Sequence, residues 1–191
     1  MKRTLIITAH LDDETFGIGG TLAQLCSKDA GEVFVYSFCS GRDAENSIKR
    51  KDAFCEIQTM LGFNYIIGSY FDMTLEQQLL KELTLRVEEL IDGFDPKRII
   101  TVCENDIHQD HKLVSQAVKI AARPSRKPID ELLEFQIPGT QPFTATYFDT
   151  VNDVSDVLSL KQKMFQKYTT ENQPNAESKE YFRTIYRKLD I

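Results

Sequence analysis

All three histidines of this 191-residue chain fall in two short acidic clusters. The first reads His10-Leu11-Asp12-Asp13-Glu14, and the second reads His108-Gln109-Asp110-His111. Imidazole and carboxylate are the donors that hold a borderline cation such as zinc, and burying them is costly unless they are paired or metal-bound. A lone histidine usually caps a helix or joins a surface pair. Three of them among Asp12, Asp13, Glu14 and Asp110 do not fit that account. A catalytic zinc commonly takes three protein ligands and leaves one position for water. His10 and Asp13 can converge from a tight turn, and His111 can reach in from the other segment. Zinc suits this donor set best, at about one ion per chain, while iron, cobalt or manganese are also compatible with it.

The elements that carry these clusters are legible in the hydrophobic pattern. Residues 5–9 read as a buried strand ending at the first cluster, and residues 21–30 as a helix stopped by Gly31. A strand over 33–39, an amphipathic helix over 47–61 ended by Gly62, and a short strand over 65–67 follow. Thr74 and Gln77 have capping-box spacing before a helix whose apolar stripe is Leu79, Leu83, Val87, Leu90 and Ile91, closed by Gly93 and Pro96. A strand over 99–102 precedes the second cluster, and a helix spans 111–122. Beyond Pro124 the pattern predicts strands over 132–137 and 145–148 and helices over 154–168 and 177–189. The last helix would dock on the domain through Tyr181, Ile185 and Leu189.

Such alternation predicts an α/β, Rossmann-like three-layer domain with a mostly parallel sheet and a C-terminal elaboration. One domain spans 1–191, with a core over 1–123 and the elaboration over 124–191. In a doubly wound sheet the first and fourth strands are often neighbours where the strand order reverses, and ligands bind beyond their carboxyl ends. The two clusters then face one crevice.

Composition narrows the partners. Hydrophobic residues make up 41% and charged residues 27%, ordinary values for a soluble globular protein. The net charge of −6 argues against nucleic acid, which needs concentrated basic surface. The triplet Lys49-Arg50-Lys51 reads as a solvated helix face. Four cysteines without a CxxC pair read as thiols in a reducing compartment. The apolar run after Lys2-Arg3 is too short for a signal peptide, and no stretch has membrane-spanning length, so the expected location is cytoplasmic. Gly17, Gly19 and Gly20 do not complete a dinucleotide fingerprint, because Leu22 stands where the third glycine belongs. Cys103 sits in no nucleophile motif and reads as a buried strand-end residue.

The paired clusters resemble the signatures of the PIG-L/LmbE-type zinc-dependent N-deacetylases. The family's first motif usually reads AHPDDE; here Ala9 precedes His10 and Leu11 replaces the proline. Its second usually reads HPDH, and Gln109 replaces the proline. Gly41 and Arg50 are similar to a Gly and Arg after the family's second strand, although Ala53 stands where Glu is common. Lys161 and Tyr168 fit a late helix of the family. The resemblance implies that His10, Asp13 and His111 bind zinc, that Asp12 is the general base, and that His108 stabilises the oxyanion. It further implies that Asp110 orients or tunes a neighbouring histidine and that Asp72 contacts sugar; a sugar pocket needs polar partners, and Arg50 as donor and Asp72 as acceptor are the candidates.

The activity implied is removal of the N-acetyl group from an N-acetylglucosamine-type sugar or small-molecule conjugate. The chemistry agrees: bound zinc lowers the pKa of water toward ~7, Asp12 stands beside ligand Asp13 to take its proton, and a protonated His108 would offset negative charge. Glu14 reads equally as a partner of a ligand histidine or as a helix-start carboxylate. The alternatives are a zinc amidohydrolase for a non-sugar amide and a non-catalytic metal- or sugar-binding module. The module would not need Asp12 and His108. Residues 134–143 are expected to form the selecting pocket, and homo-oligomerisation is left open.

Overall fold

The computed structural model describes residues 2–27, 31–140, 150–171 and 183–189. Its seven-stranded sheet contains β1 (Thr4–His10), β2 (Val33–Gly41), β3 (Asn64–Phe71), β4 (Arg98–Val102), β5 (Glu131–Phe135), β6 (Thr150–Asp153) and β7 (Arg183–Leu189). The order across the sheet is β3-β2-β1-β4-β5-β7-β6. The first five strands are parallel, and β7 runs antiparallel to both β5 and β6. The helices are α1 (Asp13–Phe16), α2 (Gly19–Leu25), α3 (Ala44–Leu61), α4 (Leu80–Phe94), α5 (Gln109–Ala121) and α6 (Leu158–Phe165). This is a Rossmann-like α/β fold, with helices flanking a five-stranded parallel sheet.

Central strand β1 is buried at every residue, as expected of a parallel strand covered on both faces. Ile6 and Ile100 are partners in the β1–β4 register and lie in the apolar core; truncating such a side chain to Ala typically costs ~2–5 kcal/mol. From β1 the chain winds outward through β2 and β3, then returns to β4 on β1's other side. That reversal opens the crevice at the carboxyl ends of β1 and β4. Two glycines set how closely the neighbouring layers pack. A Cβ on Gly17 would stand 2.3 Å from the Phe135 ring, and one on Gly20 would stand 2.5 Å from Val154. No helix of the described residues is long and apolar enough to cross a membrane.

The largest departure from expectation concerns the end of the chain. Residues 183–189, expected in a helix, form strand β7, which pairs with β5 and β6. A spacing of four puts Ile185 and Leu189 on one face of a helix and equally on one face of a strand. The free edge of β5 resolves that ambiguity, and Ile185 and Tyr186 suit a strand. Tyr181 and the expected strand over 145–148 lie outside the described residues.

The capping box before α4 does not form. The Thr74 hydroxyl donates to the Phe71 carbonyl (2.7 Å) instead of capping Gln77. Leu75–Gln77 make one 3₁₀ turn, and α4 begins at Leu80. Its left-handed terminator is Asp95 rather than Gly93. Similarly, α2 stops at Leu25, well before Gly31. Residues 155–165 form a 3₁₀ turn followed by α6, shorter than the expected helix.

Candidate metal centre

His10 is the last residue of β1, so the strand itself aims its ring into the crevice. The chain then turns sharply. Asp12 has φ 134°, a conformation costing a side-chain-bearing residue ~1–3 kcal/mol unless its surroundings enforce it. They do: the Asp12 carbonyl accepts from Thr15 and Phe16 N–H, and its own N–H donates to Glu14 Oε2 (3.0 Å). Leu11, in the motif position usual for proline, is fully buried in the core. Asp13 opens α1, and its Oδ2 accepts from the N–H groups of Ala9 (3.1 Å) and His10 (2.9 Å). The second cluster enters from beyond β4. His108 caps α5 by accepting the Asp110 N–H on Nδ1 (3.2 Å), Gln109 is the first helical residue, and His111 follows in the first turn.

Three donor groups converge. His10 Nδ1 lies 3.2 Å from His111 Nε2 and 3.6 Å from Asp13 Oδ2, while His111 Nε2 lies 3.4 Å from Asp13 Oδ1. A tetrahedron built with zinc–nitrogen and zinc–oxygen bonds of ~2.1 Å has edges of about 3.4 Å, close to these separations, with Asp13 facing His10 through Oδ2 and His111 through Oδ1. The outward nitrogens also face carboxylates: His10 Nε2 hydrogen-bonds Asp110 at 3.0 Å, and His111 Nδ1 stands 2.9 Å from Asp106 in an ion-pair contact without hydrogen-bond alignment. Carboxylates behind ligand imidazoles hold their tautomer and raise their basicity.

The electrostatics match a cation site. Burial alone would lower the histidine pKa values, but Asp13 and Asp110 push His10 well up, and Asp13 and Asp106 push His111 up to about 9. Burial would raise Asp13, yet His111 and His10 hold it well below the usual carboxylate range. The pocket therefore draws positive charge toward the atoms that would bind metal. His108 is half-buried and behaves differently. Burial, then the charges on His10 and His111, bring it down to about 4, which favours the neutral ring over the protonated one. With Nδ1 accepting from Asp110, its proton is on Nε2.

Arg50 also departs from expectation. Within the triplet only Lys49 and Lys51 are exposed, and Arg50 is buried to 5% exposure. Its Nη2 lies 3.1 Å from Asp12, Nη1 lies 2.9 Å from Asp72, and both Nε (3.0 Å) and Nη2 (2.9 Å) reach Glu171 Oε1. Every guanidinium nitrogen faces a carboxylate of the chain. Burial raises Asp12 well above the ordinary Asp value even against Arg50. Asp72 Oδ2 pairs with Arg50, while its Oδ1 is buried and accepts no hydrogen bond among the described residues.

Several site residues escaped the sequence reading. Asp106 accepts from His108 N–H (2.8 Å) and the Thr140 hydroxyl (2.6 Å) besides facing His111; the one signal was an Asp two residues before a helix-capping His. Glu171 carried no signal. Glu14 partners no histidine: it accepts from Asp12 N–H, the Thr15 hydroxyl (2.8 Å) and the Tyr168 hydroxyl (2.8 Å). Of the expected selecting stretch, Glu134 and Phe135 are interior, Thr140 reaches Asp106, and residues 141–143 lie outside the described set. Cys103 is buried at the end of β4, as expected.

The signature of a family described as PIG-L, GlcNAc-PI de-N-acetylase, matches residues 5–122, the stretch holding both clusters. The chain belongs to this family. Among curated PIG-L relatives, it is 28% identical over 186 residues to a probable N-acetyl-alpha-D-glucosaminyl L-malate deacetylase 2 of Bacillus cereus, covering 84% of this chain and 79% of the relative. Its fold is similar to the zinc-inhibited form of teicoplanin deacetylase Orf2, with TM-score 0.78, 16% identity and 98% of both chains covered. It is also similar to GalB, the 4-carboxy-2-hydroxymuconate hydratase from Pseudomonas putida, with TM-score 0.72, 14% identity, and 100% and 97% covered. The structural likenesses speak to fold alone. Since that fold carries a hydration as well as a deacetylation, the reaction of this PIG-L protein has to be argued from its side chains.

Proposed function

We propose that this protein is a zinc-dependent N-deacetylase acting on an N-acetylglucosamine-type sugar or conjugate. The convergence of His10 Nδ1, His111 Nε2 and the Asp13 carboxylate at tetrahedral-edge spacing carries the reading. Those three residues would hold the ion, with Asp110 and Asp106 behind the imidazoles. Bound there, zinc would polarise the amide carbonyl and make water acidic enough to ionise near neutral pH.

The remaining work belongs to the chain. Asp12, whose pKa burial holds above the ordinary Asp value, takes a proton from the attacking water as carboxylate and delivers it to the nitrogen of the breaking C–N bond. The water oxygen forms the new C–O bond, and acetate and a free amine leave. His108 donates its Nε2–H to the carbonyl oxygen as negative charge develops there. A neutral imidazole serves because the role needs a donor. Arg50 acts on the carboxylates, holding Asp12 and Asp72. The unpaired Asp72 Oδ1 is an acceptor suited to a sugar hydroxyl, since leaving a buried oxygen without a partner costs ~1–3 kcal/mol.

Acetate release from a panel of N-acetylglucosamine conjugates, simple acetamides and acylated amino acids tests the reading. Expected are turnover of the sugars, arrest by a chelator, and a kcat loss of roughly two to four powers of ten in Asp12→Asn with zinc still bound. Efficient cleavage of acetamides without any sugar would transfer the site to a non-sugar amide. Zinc-loaded protein inactive on the whole panel would end the deacetylase reading.

A further inference from the structure

Among the described residues just beyond α6, 166–171, two side chains end on groups that hold Asp12. We infer that Tyr168 and Glu171 are positioning residues for the Asp12 carboxylate, an inference that rests on Asp12 being the general base proposed above. Besides the Thr15 and Phe16 N–H groups on its carbonyl, two contacts hold Asp12. Its backbone, at φ 134°, is tied through its N–H to Glu14 Oε2 (3.0 Å). Glu14 is fully buried, and its other oxygen accepts from the Tyr168 hydroxyl (2.8 Å) as well as Thr15. The carboxylate is tied to Arg50 Nη2 (3.1 Å), and Glu171 Oε1 accepts from the same guanidinium at Nε (3.0 Å) and Nη2 (2.9 Å).

Each of these two contacts therefore runs through one buried side chain to the stretch after α6. A buried carboxylate that loses a hydroxyl donor re-forms its contacts around those left, so removing the Tyr168 hydroxyl loosens the grip of Glu14 on a strained turn. Without Glu171, Arg50 keeps Asp72 on Nη1, while Nη2 loses one of its two acceptors and resettles on Asp12. Either change moves the Asp12 carboxylate relative to the water it must deprotonate. Displacements of an ångström or less are enough to slow a proton transfer severely. Neither residue touches the metal donors or the free oxygen of Asp72, so zinc binding and substrate affinity stay as they are.

The test measures kcat and KM per bound zinc, on the N-acetylglucosamine conjugate turned over best, for Tyr168→Phe, Glu171→Ala and Glu171→Gln. The Phe variant keeps the ring beside Phe16 and removes the hydroxyl alone. Expected for Tyr168→Phe and Glu171→Ala is a kcat lower by about tenfold, with KM and zinc content within about twofold of the parent. Glu171→Gln keeps an acceptor oxygen for the guanidinium and should stay within about threefold of the parent. In an Asp12→Asn background the same changes should cost less than about twofold, because nothing remains for them to position. Parental kcat in both Tyr168→Phe and Glu171→Ala would overturn the inference. So would losses in KM or zinc matching the loss in kcat, or an undiminished tenfold effect without Asp12. Parental kcat in Asp12→Asn alone would instead overturn the base assignment.

Discussion

Replacing Asp106 should weaken zinc binding although the residue supplies no zinc donor itself. Its Oδ2 faces His111 Nδ1 at 2.9 Å and accepts from the Thr140 hydroxyl at 2.6 Å, while Oδ1 accepts from His108 N–H at 2.8 Å. Asp106→Asn cannot satisfy both sides. With the amide oxygen toward His111, the NH₂ meets the His108 N–H, donor against donor. With the NH₂ toward His111, Nδ1 must accept, the ring proton moves to Nε2, and the nitrogen that faces His10 is blocked. Asp106→Ala removes all three contacts. Losing the carboxylate behind a ligand imidazole typically costs 10–100-fold in metal affinity, or about 1.4–2.8 kcal/mol. Competition titration against a chromophoric chelator reads that shift in the zinc Kd, and circular dichroism checks that the fold persists. A folded Asp106→Ala protein with a zinc Kd within about twofold of the parent would refute the assignment of Asp106 to His111.

Three further outcomes are expected. Gly20→Ala, favourable by helix propensity, should lower stability by about 1–3 kcal/mol in urea, because its Cβ would stand 2.5 Å from Val154; adding Val154→Ala should restore part of the loss. Asp72→Ala should raise KM for the sugar by about tenfold or more with zinc retained, and an unchanged KM would remove Asp72 from the substrate pocket. Cys26 is pushed up to about 12 by burial, which favours the neutral thiol. At pH 8.5 its thiolate fraction is then roughly a thousandfold below that of free cysteine, and alkylation followed by peptide mass spectrometry should show it reacting correspondingly slowly.

The sequence by itself determined the strand–helix alternation, the mostly parallel sheet and the two clusters that meet at the switch point. Those features are written locally. Apolar runs such as Leu5–Ile6–Ile7 follow from burial on both faces of a strand; His10 ends β1, and His108 and His111 open α5 beyond β4. Tertiary structure alone decided the rest. Ile185 and Leu189 are spaced equally well for a helix or a strand, and only the free edge of β5 chose between them. Arg50 sits between two exposed lysines, so its burial depended on Asp12, Asp72 and Glu171 arriving from distant stretches to offset the desolvation of its charge. Asp106 and Glu171 likewise became part of the site only through what they touch. A metal ligand is recognisable by its own chemistry, whereas a residue that holds it in place is defined by distances that no spacing along the chain encodes.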